Sequence, residues 1–186
     1  MVQVLVIGGS EGADEMLERR IGGILRGLAR VRRGNYNDPF PGDIDLVVFY
    51  GKGKRLREMQ KRNLPGVALV GAELTLLPAG LKELQKIKPG QVCGVVAEHQ
   101  RCANIFLSEI IRAGFVENRF VTGTFQEIER LEADCFIVSE EMAPLFPPDP
   151  KNRPLVAIPR TVSPESAAEI INLVLEIGAR KLNRTS

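Results

Sequence analysis

The feature that most constrains this chain is an alternation of strand-like and helix-like segments that stops and restarts halfway along. Around Lys88-Pro89-Gly90 a helical stretch ends, and a new β-type run, Gln91-Val92-Cys93-Gly94-Val95-Val96-Ala97, begins. Before the break, Val2–Ile7, Ala29–Arg33, Ile44–Tyr50 and Val67–Val70 read as strands. Between them, apolar residues recur at helical spacing: Leu17, Ile21, Ile24, Leu25 and Leu28, then Leu56 and Met59, then Leu77, Leu81, Leu84 and Ile87. After it, strands at Val92–Val96, Arg119–Thr122, Cys135–Val138 and Leu155–Ile158 alternate with a helix carrying Cys102, Phe106, Ile110 and Ala113 and a short one carrying Ile128 and Leu131. Met142–Arg153, with four prolines, reads as an irregular surface segment. The last helix has a sharp start: Ser163 is placed to cap it, Pro164 fits its first turn, and Glu165 complements its dipole.

Such alternation implies parallel sheets joined by right-handed crossovers. The expected fold is α/β: two lobes, 1–88 and 89–186, each a mainly parallel sheet flanked by helices, with a cleft between them and the last helix free to pack back on the first lobe. Hydrophobic residues make up 44 % of the chain, enough for packed cores, while aromatics are 5 % and Trp is absent, so Val, Ile and Leu must build those cores. A net charge of +2 gives no electrostatic case for nucleic acid or an anionic membrane. No apolar run approaches the ~18 residues of a membrane span, and no secretory leader precedes the first strand. Cys93, Cys102 and Cys135 form no C-x-x-C pair and read as reduced thiols of a cytoplasmic protein.

Ligands of open parallel sheets bind beyond the carboxyl ends of the strands. That rule picks out Ser10 and Glu11 after the first strand and Tyr50 at the end of the third. In the second lobe it picks out Glu98, His99 and Arg101, then Thr122, Ser139, Arg160 and Ser163. The loop Gly8-Gly9-Ser10-Glu11-Gly12 leads from a strand into a helix, so its N–H groups can hold a phosphate or carboxylate. It departs from G-x-G-x-x-G, and about twenty residues on stand Arg32 and Arg33 rather than an acidic ribose ligand. A tight strand-to-helix turn explains the glycines equally well, and no cofactor is expected. A single histidine and scattered cysteines do not make an ordinary zinc site, so no metal is expected either. His99 reads as a ligand contact or general base, or as an exposed loop residue; Arg160 as a clamp for a carboxylate or as half of an ion pair. Cys102 near a helix start can be an activated thiol, but it lies on the apolar face, where packing is the simpler role. The basic run Lys52 to Arg57, continuing to Lys61-Arg62, reads as a solvated helix face.

The order Asp43-Ile44-Asp45-Leu46-Val47-Val48-Phe49-Tyr50, Val67–Val70, Lys88-Pro89-Gly90, Val92–Val96, Phe120–Thr124, Ala133–Ser139, Ile158-Pro159-Arg160 and Ser163-Pro164-Glu165-Ser166 resembles the effector-sensing domain behind the winged helix of some GntR-type bacterial regulators. It also resembles the two-lobed sensor of propionate-type sigma-54 activators. The resemblance covers roughly residues 43 to 177. It implies a periplasmic-binding-protein-like fold, a small anionic or zwitterionic ligand, no catalytic residues, and contact with nucleic acid only through a separate domain. Two other readings stand beside it. One is a small enzyme of the aspartate/glutamate racemase-like architecture, which needs a cysteine at a strand end in each lobe. The other is a partner-binding module whose apolar final helix serves a homodimer.

Overall fold

The computed structural model describes residues 1–9, 11–61 and 64–185. Candidate Ser10 and the Arg62 of the basic run lie outside the described residues. The chain forms two compact units, one of Met1–Glu73 with Val162–Ser186, the other of Leu74–Thr161. In order, β1 (Val2–Ile7), α1 (Glu11–Ile24), β2 (Ala29–Arg33), β3 (Leu46–Tyr50), α2 (Lys54–Lys61) and β4 (Ala68–Ala72) lie in the first unit. The second holds β5 (Leu74–Leu76), α3 (Pro78–Leu84), β6 (Val92–Ala97), α4 (Gln100–Arg112), β7 (Arg119–Thr124), β8 (Cys135–Ser139), β9 (Leu155–Ile158) and the start of β10 (Arg160–Val162). Finally α5 (Pro164–Thr185) completes the first unit. The restart at Lys88-Pro89-Gly90 therefore lies inside the second unit, between α3 and β6.

Each unit is α/β, built on a four-stranded parallel sheet. The orders are β2-β1-β3-β4 and β7-β6-β8-β9, the same topology twice, although no fixed sequence period links the halves. The central strands are buried on both faces, which is why they read as nearly continuous apolar runs: all five residues of β3 and all five of β8 are buried. In the first unit, Leu5, Ile7, Val47 and Phe49 meet Leu56 and Met59 of α2. Strand alternation turns Val2, Val4 and Val6 to the opposite face, and both α1 and α5 pack on β1. In the second, Cys93, Val95, Cys135 and Ile137 meet Phe106 and Ile110 of α4 and Leu84 of α3. The other face is filled by Val96, Ile128, Phe136 and Val138, with Phe125 and Phe146 packed against them.

Several local expectations are corrected. Leu28 is exposed, because α1 ends at Ile24 and Gly27, at φ +82°, reverses the chain into β2 before that face can continue. The short helix expected around Ile128 and Leu131 is instead a 3₁₀ turn at Phe125–Glu127. Thr124 stands at its N-cap, and its N–H and hydroxyl both donate to Glu127 Oε2 at 2.8 Å. Met142–Arg153 is not only surface. A 3₁₀ segment, Glu140–Leu145, buries Met142, and Phe146 packs tilted against Phe136, with centroids 5.4 Å apart and planes at 51°. β5 and β10, three residues each, form a separate two-stranded sheet that was not expected.

Candidate functional site

In both sheets the first strand of the β-α-β run is central, with its successor on one side and the next strand on the other. Neighbouring crossovers therefore part company over the carboxyl ends of β1 and β3, and again over β6 and β8. Such switch points are where open α/β sheets take ligands.

At the first switch point the glycine loop holds a carboxylate of its own. Gly8 N–H and Gly9 N–H both donate to Asp14 Oδ1, the second at 3.3 Å. The helix starts at Glu11, so Gly12 belongs to its first turn rather than to the loop. The N–H groups that the sequence offers to an external anion are thus served by a side chain one turn into α1. Gly8 is required by close approach: a Cβ there would lie 2.4 Å from the Ala13 carbonyl carbon and 2.6 Å from the Asp14 nitrogen. Gly8→Ala is expected to destabilise the chain by ~1–3 kcal/mol through overpacking against backbone, seen as a lower urea midpoint at unchanged slope. Tyr50 is buried at the end of β3. Ser163 acts as the helix cap: its Oγ accepts the Ser166 N–H at 3.2 Å. Ser163 N–H donates to Glu73 O at 2.8 Å, and Ser166 Oγ accepts the Glu73 N–H at 3.0 Å.

At the second switch point the candidates gather more closely. Glu98 is half-buried beyond β6, and His99 is exposed and extended (φ −128°, ψ 140°) at the N-cap of α4, with no side-chain capping bond. Arg101 is exposed in the first turn. Thr122 of β7 is tied to the same helix, its Oγ1 accepting from Gln100 Nε2 at 2.7 Å. Ser139 ends β8 and is 4 % exposed, again with no capping hydrogen bond. Alternation along β8 puts Ser139 on the face of Cys135 and Ile137, the face on which α4 packs.

Arg160 takes a structural partner. Its NH1 donates to Glu109 Oε2 at 2.9 Å, with both side chains buried, and its guanidinium carbon stands 4.3 Å from the centroid of the Phe106 ring. Glu109 lies about two and a half turns along α4 from the helix start, away from His99. Sequence reasoning did not find Glu109, Asp14 or Gln100. Asp14 carried a readable signal, an acidic residue at the start of a helix behind a glycine turn; Glu109 carried none.

Cys93 and Cys135 are register partners on β6 and β8, with sulfurs 3.7 Å apart. Hydrogen bonding with Cys135, and then burial, hold the Cys93 thiol far above its ordinary range. Cys102 is half-buried on α4. Among the described residues no group of three or more His, Cys, Asp or Glu could hold a metal ion, and no helix is long and apolar enough to cross a membrane. No protein-family model, no curated protein and no solved structure matches this chain.

Proposed function

We propose that this chain is a small-molecule sensor domain, related to the effector domains of bacterial transcriptional regulators that its sequence resembles. In this reading its second unit takes an anionic or zwitterionic ligand over the carboxyl ends of β6 and β8. One observation carries the reading. The N-terminus of α4 opens at the switch point without a side-chain cap, and the buried Ser139 hydroxyl, which caps nothing, ends the adjacent strand on the same face. Uncapped N–H groups and the positive end of the helix dipole favour negative charge, and a serine hydroxyl adds a donor. His99, Glu98 and Thr122 border the position and set which ligand fits. Contact with nucleic acid belongs to a separate domain, and three free cysteines fit a reducing, cytoplasmic setting.

A ligand acts in such a sensor through its differential affinity for two states. Purified chain titrated with small carboxylates, phosphates and amino acids is expected to show a thermal shift with at least one of them. At ~100-fold excess over Kd the stabilisation is about 2.7 kcal/mol. Ser139→Ala is expected to weaken that ligand about tenfold, the value of one hydrogen bond to a charged group, while Asp14→Asn leaves the affinity unchanged. A panel without any shift, or a ligand indifferent to Ser139, would sink the reading. The racemase-like alternative gains no support, since all three cysteines belong to the second unit and two of them lie buried within strands.

A further inference from the structure

Two of the three cysteines stand side by side. Cys93 of β6 and Cys135 of β8, 42 positions apart in the chain, are register partners on neighbouring parallel strands. Partners at one level of such a pair face the same side of the sheet, with Cα atoms about 4.8 Å apart. A disulfide spans ~4.4–6.8 Å between Cα atoms, so the backbone already has the separation that the bond requires. The sulfurs are in contact at 3.7 Å. Side-chain rotation closes most of the remaining gap to the ~2.05 Å of an S–S bond. Cys102 belongs to α4 and takes no place in this register.

We infer that Cys93 and Cys135 are a redox-modification site, at which a small peroxide converts the dithiol to a disulfide that staples β6 to β8. The first sulfur, as thiolate, attacks a peroxide oxygen and breaks the O–O bond. That leaves a sulfenic acid and a hydroxide, which takes the thiol proton and departs as water. The second sulfur displaces the sulfenic hydroxyl; the S–S bond forms and a second water leaves. Two thiols thus give up two electrons, and hydrogen peroxide ends as two waters. Packing selects the oxidant. Cys93 is 0 % and Cys135 2 % exposed, beneath Phe106 and Ile110 of α4. A water-sized peroxide enters during brief local openings, and a glutathione-sized disulfide does not. The Cys93 hydrogen bond favours the thiolate form of Cys135, against the effect of burial, which makes Cys135 the attacking sulfur. Cys93, one contact away, then resolves the sulfenic acid before a second peroxide arrives, so the modification stops at a reversible stage. The staple lies four residues before Ser139 on β8 and fixes the spacing of the two strands that frame the second switch point.

Mass spectrometry of the intact chain tests this. After a limited dose of hydrogen peroxide and quenching, the chain is expected to be lighter by two hydrogens, and its thiols, counted in urea, to fall from three to one. Peptide mapping should join Cys93 to Cys135, and dithiothreitol should restore all three thiols. Glutathione disulfide at the same concentration should leave the native chain unchanged. Cys93→Ala removes the resolving sulfur, so the same treatment should add one oxygen, trapped at Cys135 by dimedone, in place of the loss of two hydrogens. The map of the wild-type chain does not depend on that variant folding. A chain that keeps all three thiols at a peroxide dose that fully oxidises glutathione in parallel overturns the inference. So does a bond that includes Cys102, or a product that dithiothreitol leaves unchanged.

Discussion

Replacing Glu109 by alanine is expected to cost ~3–5 kcal/mol of stability, because it takes the carboxylate away from a buried guanidinium in the second unit. Arg160 and Glu109 have side chains only 7 % and 3 % exposed, and Arg160 lies over Phe106, so neither charge can turn to water when the other is removed. The pair itself is not a large stabiliser. Removing two charges from water costs nearly what their attraction returns, and an apolar pair of similar volume often serves as well. Arg160→Met with Glu109→Leu is therefore expected to fall within ~1–2 kcal/mol of wild type. Urea midpoints of the two single variants and the double variant give the coupling directly. A loss below ~1 kcal/mol for Glu109→Ala would mean that the site takes up water, contrary to the burial described.

Asp149→Asn is expected to cost ~3 kcal/mol at neutral pH, for a related reason, and to change how the chain responds to acid. Arg153 Nε and NH2 grip the two oxygens of Asp149 at 2.8 and 2.7 Å, and the Arg153 N–H adds a third bond at 2.8 Å. The guanidinium also donates to the carbonyls of Leu131 and Ile128, each at 2.7 Å, and stacks 4.3 Å over Phe136. One side chain thus fastens the proline-rich segment to the turn after β7. The Arg153 side-chain hydrogen bonds, against the opposing effect of burial, hold the Asp149 carboxyl far below the usual carboxylate range. Its folded pKa is depressed, so the stabilisation is fully present above the unfolded value of about 4 and is lost as pH falls through the lower folded value. Wild type should lose stability steeply below about pH 4, and its advantage over Asp149→Asn should shrink across that range. Denaturation series at pH 7, 4 and 3 check this; a constant gap would show that the carboxylate is not what the arginine senses.

Much of the architecture was legible because its signals are local. β1, β3, β6 and β8 are mostly apolar runs, interrupted only by Gln3 in β1 and ending in Ser139 in β8. The Ser163 cap with Pro164 behind it marks the start of α5 correctly. What escaped reading depends on partners far along the chain. Leu74–Leu76 and Arg160–Val162 are too short to show a period, and become strands only because each finds the other. Arg160 sits at a strand end, where a ligand clamp is expected, but its partner lies 51 residues away. The turn at Phe125–Glu127 is the opposite case. Thr124 and Glu127 spell a capping box in the sequence itself, and the apolar residues behind it, Ile128 and Leu131, drew the reading toward a longer helix.

The hydrogen bonds joining Glu73 to Ser163 and Ser166 have a consequence for how the molecule is made. They bring together the ends of two stretches that are translated far apart, with roughly 90 residues between them, a delay of ~5–20 s on the ribosome. The earliest strands leave the exit tunnel long before the helix that covers them exists, whereas the inserted unit emerges as one uninterrupted stretch. Nascent chains are thus expected to mature from the middle outward, with the opening segment the one most in need of a chaperone's shelter.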